Sequence, residues 1–113
     1  MDHKIISAHL DDLEFVLHLN QKNTPAVSDS SFEIMSYFLR VSDYFKILTV
    51  GEKPIGFLIA LMPGEDYHSE NYRWFNMKYK SFIYIDRVVI SEKYQGRGYG
   101  KLFYNDLQHF SKG

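Results

Sequence analysis

The stretch Tyr84-Ile-Asp-Arg-Val-Val-Ile-Ser-Glu-Lys-Tyr-Gln-Gly-Arg-Gly-Tyr-Gly-Lys101 decides the fold, because it runs from an apolar strand through a short loop into a glycine-rich turn. Beyond the turn, Leu102, Phe103, Leu107 and Phe110 fall on one helical face, so Gly96, Gly98 and Gly100 sit where a helix begins. Glycine has no Cβ, so the backbone there can take positive φ and a ligand can approach the main chain. A helix start presents unpaired N–H groups and partial positive charge, which together favour an anion. Arg97 and Lys101 add formal positive charge at an end where the helix dipole alone disfavours cations. A bound phosphate resolves that conflict, and the turn reads as a pyrophosphate site.

Two common glycine loops do not fit. A dinucleotide loop needs Gly-x-Gly-x-x-Gly with an acidic residue about 20 positions on, and a nucleoside-triphosphate loop needs Gly-x-x-x-x-Gly-Lys-Ser/Thr. The spacing here is Gln95-x-x-Gly98-x-Gly100, after a strand and before a helix. It resembles the coenzyme A loop of the GNAT superfamily of N-acetyltransferases, whose signature is Gln/Arg-x-x-Gly-x-Gly/Ala. The likeness extends over the whole run YIDRVVISEKYQGRGYGKLFYNDL.

Upstream, Ile5 and Ile6 suggest a first strand. Asp11-Asp-Leu-Glu14 reads as a helix N-cap with its reciprocal glutamate, followed by Leu13, Val16, Leu17 and Asn20 at helical spacing. Pro25 breaks that helix, and Ser30-Ser-Phe-Glu33 repeats the capping pattern before a second helix ending near Val41. Two apolar runs, Tyr44 to Val50 and Pro54 to Met62, flank Gly51-Glu-Lys53 and predict a hairpin. Residues 65–80 read as a long aromatic connector that covers the acceptor pocket, with Tyr67 and Trp74 as substrate-binding walls and His68 able to take a proton at neutral pH. The alternative is that Trp74 and Phe75 only anchor this loop on the core.

The resemblance implies an α+β fold: a mixed, mainly antiparallel sheet flanked by helices, in the order strand, two helices, two strands, coenzyme strand, helix. It implies acetyl-CoA as acetyl donor and no metal. The pantetheine arm would lie along the backbone of Val88, Val89 and Ile90. Gln95, Gly96, Arg97, Gly98, Tyr99, Gly100 and Lys101 would hold the pyrophosphate. The family continues past its coenzyme helix with further strands and another helix, whereas this sequence stops at Gly113. Residues 1–113 therefore read as one domain lacking its C-terminal part, with an open strand edge that invites a homodimer.

Composition narrows the partners. With 13 basic and 14 acidic residues the net charge is −1, which gives no field for nucleic acid or an anionic membrane and points to a small molecule; the resemblance implies that it is a small-molecule or peptide amine. The absence of cysteine excludes disulfides, thiol nucleophiles and cysteine-ligated zinc, and fits the cytoplasm. His3, His9, His18 and His109 are scattered without metal-ligand spacing and are assigned to the surface.

Acetyl transfer to an amine requires that the amine lose a proton, since an alkylammonium has a pKa of about 10.4 and no lone pair. Strict alternation along residues 82–90 puts Tyr84 and Asp86 on one face and Arg87 on the other. Asp86 is the first candidate for the base, directly or through water, and Tyr84 the second. Asp86 as a structural carboxylate and Tyr84 as a pocket wall are the competing readings. At the level of function, a non-catalytic coenzyme A-binding or interaction module competes with the enzyme, as does a turn that binds nothing.

Overall fold

In the computed structural model, which describes residues 2–64, 69–79 and 82–112, the chain runs β1 (His3–Ser7), α1 (Leu13–Lys22), α2 (Phe32–Val41), β2 (Tyr44–Val50), β3 (Lys53–Leu61), α3 (Glu70–Lys78), β4 (Tyr84–Ile90) and α4 (Tyr99–Lys112). The four strands pair antiparallel in the order β1-β2-β3-β4. Neighbouring strands are sequence neighbours, with β2 and β3 joined by a tight turn at Gly51, whose φ is 63°.

β2 and β3 are buried on both faces, as their near-continuous apolar sequences require. Phe45, Ile47, Phe57, Ile59 and Leu61 face one way, onto Leu13, Val16 and Leu19 of α1, Met35 and Phe38 of α2, and Tyr72 of α3. Tyr44, Leu48, Val50, Leu58 and Ala60 face the other way, where Phe103 and Leu107 of α4 complete a second cluster. Burying a large apolar side chain is worth about 1.5–3 kcal/mol. The two clusters therefore fix three helices on one face of the sheet and the glycine-led helix on the other.

Local signals place the helix starts one or two residues from the sequence expectation. At α1 the reciprocal carboxylate is Asp12, which accepts the His9 N–H at 2.8 Å across a 3-10 turn at Leu10–Asp12, rather than Glu14. At α2 the cap is Ser31, whose Oγ accepts the Ile34 N–H at 3.1 Å, rather than Ser30. The larger correction concerns residues 65–80. Expected as a connector, they contain α3, begun by Ser69 accepting the Tyr72 N–H. Tyr72 alone is buried on this helix. Its hydroxyl donates to the Met62 carbonyl, and its ring meets Phe82 and Tyr84 edge-on at 5.7 and 5.6 Å.

Candidate active site

β4 is one residue longer than the stretch of β3 it pairs with. Ile59 lies opposite Arg87 and Ala60 opposite Ile85, so no residue of β3 stands across from Asp86 in the register: it is a β-bulge. The extra residue reverses the alternation. Ile83, Ile85, Val88 and Ile90 pack on the α4 side, while Phe82, Tyr84 and Val89 pack on the α1–α2–α3 side. The expectation that Arg87 points away from the Tyr84 face is therefore corrected. Arg87 turns to the Tyr84 side, with its guanidinium carbon 5.3 Å from the centre of the Phe38 ring.

Asp86 and Arg87, expected to point apart, form an ion pair. Arg87 Nε donates to Asp86 Oδ2 at 2.7 Å, and the two side chains are 9% and 7% exposed. Arg87 Nη1 also donates to Asn20 Oδ1 at 3.1 Å and to the Ser28 carbonyl at 3.2 Å. Asn20 is fully buried, and its Nδ2 donates to the same Ser28 carbonyl at 3.0 Å. Sequence reading gives Asn20 a place on the first helix but no role at the site, and misses Ser28; they lie 67 and 59 residues from Arg87.

Tyr84 packs edge-on against Tyr72 and within 6.0 Å of Phe75, so the structure places it in an aromatic cluster under α3. Trp74 lies on α3 and is 50% exposed, with Phe75 at 5.0 Å and the Lys78 ammonium 4.7 Å from its ring centre. Tyr67 and His68 lie outside the described residues.

The coenzyme loop follows β4 directly. After a 3-10 turn at Glu92–Tyr94, Gln95 folds back and its Nε2 donates to the Ile90 carbonyl at 2.8 Å, so its side chain braces the loop. Gly96 and Gly98 take φ of 76° and 88°, the left-handed region where a side chain is strained. The Leu102 N–H bonds the Gly98 carbonyl at 3.3 Å and starts α4, leaving the preceding amides without intrahelical acceptors. A Cβ added at Gly100 would meet nothing within 4 Å, and its φ is not left-handed. Neither conformation nor packing among the described residues explains a glycine there. Close approach of a ligand would.

Arg97 rests its guanidinium 5.5 Å from the Tyr94 ring, and Tyr94 meets Tyr99 at 6.1 Å. Lys101 is exposed. Because β4 is an edge strand, no further strand pairs with Val88 to Ile90 on its outer side among the described residues, where the Ile90 carbonyl is taken by Gln95 and the rest of the edge can receive an extended ligand arm. These features fit a pyrophosphate and a pantetheine arm. A groove of about 360 Å³ lies nearby, between α1 and the turn after β4, lined by Phe15, His18, Lys22, Lys53 and Lys93 among others. None of the expected site residues lines it. Among the described residues no group of three or more His, Asp or Glu side chains could hold a metal ion, and no helix is long and apolar enough to cross a membrane.

The profile of the Acetyltransferase (GNAT) family matches residues 10–113. Among curated proteins, none matches at a significant level. Among solved structures, an aminoglycoside 6'-N-acetyltransferase from Acinetobacter baumannii superposes with a TM-score of 0.74 at 12% identity, over 98% of this chain and 72% of that one. An acetyltransferase from Trypanosoma brucei superposes with a TM-score of 0.68 at 20% identity, over 98% and 75%. An aminoglycoside acetyltransferase from an uncultured soil metagenomic sample, solved in complex with sisomicin, gives 0.65 at 20% identity, over 97% and 70%.

Proposed function

The chain belongs to the acetyltransferase (GNAT) family, and on that premise we propose that it transfers an acetyl group from acetyl-CoA to a primary amine of a small molecule or peptide in the cytoplasm. The observation that carries this reading is the loop: left-handed Gly96 and Gly98, unhindered Gly100 and the open start of α4, set beside the free edge of β4. The choice of a small amine follows the aminoglycoside acetyltransferases among the fold relatives.

Acetyl-CoA would supply the activated acyl group as a thioester. The main chain of Val88, Val89 and Ile90 would align it, and the amides of residues 95–101 would neutralise its phosphates with help from Arg97 and Lys101. The amine nitrogen would then form the new C–N bond as the C–S bond breaks. Asp86, directly or through a water, would take the amine proton or hold the ammonium before it is lost, and Tyr84 would wall the site. A coenzyme-binding module without turnover is the second reading. It is favoured by one observation: Asp86 Oδ2 is already engaged by Arg87.

The test is the thermal midpoint with and without acetyl-CoA. At a hundredfold excess over Kd, binding to the native state adds about 2.7 kcal/mol, on the order of 10 °C for a domain this size. Gly100→Glu puts bulk and negative charge at the helix start without a strained φ, and should abolish the shift while leaving the ligand-free midpoint near wild type. No shift in the wild-type chain would overturn the coenzyme site. Amine-dependent release of the coenzyme thiol then separates an enzyme from a binder.

A further inference from the structure

Arg87 does more than neutralise Asp86. An ion pair needs one donor, yet the guanidinium fork also spans to Asn20 Oδ1 and to the Ser28 carbonyl. Asn20, with no exposed surface, is itself aimed by donating to the Ser28 carbonyl at 3.0 Å and to Gln21 Oε1 at 2.9 Å. Gln21 Oε1 in turn accepts the Ser30 N–H at 3.1 Å, and Gln21 Nε2 donates to Asp29 Oδ1. Three side chains, two on α1 and one on β4, thus grip residues 28–30 of the loop between α1 and α2.

A buried charge is poor value as a stabiliser, because desolvation offsets most of its Coulomb attraction. Its clearer effect here is geometric. It ties the loop carrying Asp29 to the bulge carrying Asp86, the residue assigned to the amine proton, so that loop keeps its place beside the reacting end of β4. A loop ordered in advance spares the entropy that its ordering on binding would cost.

We infer that Arg87 is a positioning residue for the acceptor amine, locking residues 28–30 against the β4 bulge so that the amine meets a preformed site. The inference rests on the acetyl-transfer reading. Arg87→Lys tests it, since lysine keeps a charge for Asp86 but cannot present a planar fork to the loop.

With the purified chain, acetyl-CoA and an amine that it turns over, Arg87→Lys should raise the amine KM about tenfold. The acetyl-CoA KM and kcat should stay within about twofold, and amide hydrogen exchange at Asp29 and Ser30 should quicken about tenfold. Faster exchange with an unchanged amine KM would overturn the inference, as would a fall in kcat alone or no change in either readout. If Arg87→Lys does not fold, Gln21→Ala loosens the same segment from an exposed position and should move both readouts the same way, by about threefold. A Gln21→Ala chain with wild-type exchange and KM overturns the inference equally. Failure of the acetyl-transfer reading is distinguishable, because the wild-type chain would then turn over no amine before any variant is made, and this role would fall with it.

Discussion

Replacing Asp86 by alanine removes one half of an ion pair whose members are 7% and 9% exposed, and leaves the Arg87 guanidinium inside the fold without its counter-charge. Breaking such a pair from one side costs about 3–5 kcal/mol. Arg87 keeps its bonds to Asn20 and Ser28 and its place over the Phe38 ring, so the lower figure applies, about 3 kcal/mol. Against a total stability of about 5–15 kcal/mol, that is a large fraction, and it lowers Tm by about 12 °C in a domain of this length. Arg87→Met should cost a similar amount by removing the guanidinium that faces the carboxylate. The double variant Asp86→Ala with Arg87→Met should recover most of the loss, so the four proteins close a cycle with a coupling of about 2 kcal/mol or more. Urea unfolding followed by circular dichroism measures all four. A single Asp86→Ala variant within about 0.5 kcal/mol of wild type, or additive singles, would refute the buried pair. The cycle also bears on mechanism: a dead Asp86→Ala enzyme is uninformative about proton transfer until its folded fraction is known.

Two further outcomes follow from packing and titration. Gly56→Ala would bring a Cβ to 2.7 Å from both the Val89 carbonyl oxygen and Ile90 Cδ1, so β4 must shift at its C-terminal end; urea unfolding should show a loss of about 1–3 kcal/mol, with weaker acetyl-CoA binding by titration. Burial, its hydrogen bond to Asp106 at 2.7 Å and the charge of Asp106 all push the Tyr44 hydroxyl pKa well up, so the folded state keeps a proton that the unfolded state releases above about pH 10. Stability must then fall as pH rises beyond that point, and Tyr44→Phe should flatten the decline by up to about 1.4 kcal/mol per pH unit; parallel slopes for both proteins would refute the assignment.

The strand–turn–helix core was legible because its signals are local: glycine at defined spacing, an apolar run before it and a helical stripe after it. The hairpin of β2 and β3 was legible for the same reason. Cap positions slipped where the chain offers adjacent equivalents. Asp11 competes with Asp12, and Ser30 with Ser31, and only the folded backbone chooses between them; the Ser30 hydroxyl ends up buried with no partner among the described residues. α3 escaped notice because a single buried residue, Tyr72, anchors it, so no stripe of period 3.6 marks it. The bulge was invisible in principle. Alternation is a property of one strand, whereas register is a property of two, and nothing in residues 82–90 records how many residues of β3 lie opposite. The network joining Asn20, Ser28 and Arg87 is likewise tertiary.

The bulge also divides the demands on neighbouring positions. Residues 85 and 87 answer to the two cores, and exchanging their characters would put charge into one cluster and oil into the other channel of contacts. Residue 86 stands outside that ledger, since no residue of β3 lies across from it. Its neighbour in sequence, Arg87, is one constraint on it, and through that guanidinium a loop some sixty positions away is another. A lineage exploring new acceptors could therefore change residues 86 and 87 together without re-laying the sheet, and a library that varies this pair jointly should retain folded members that varying either alone would lose.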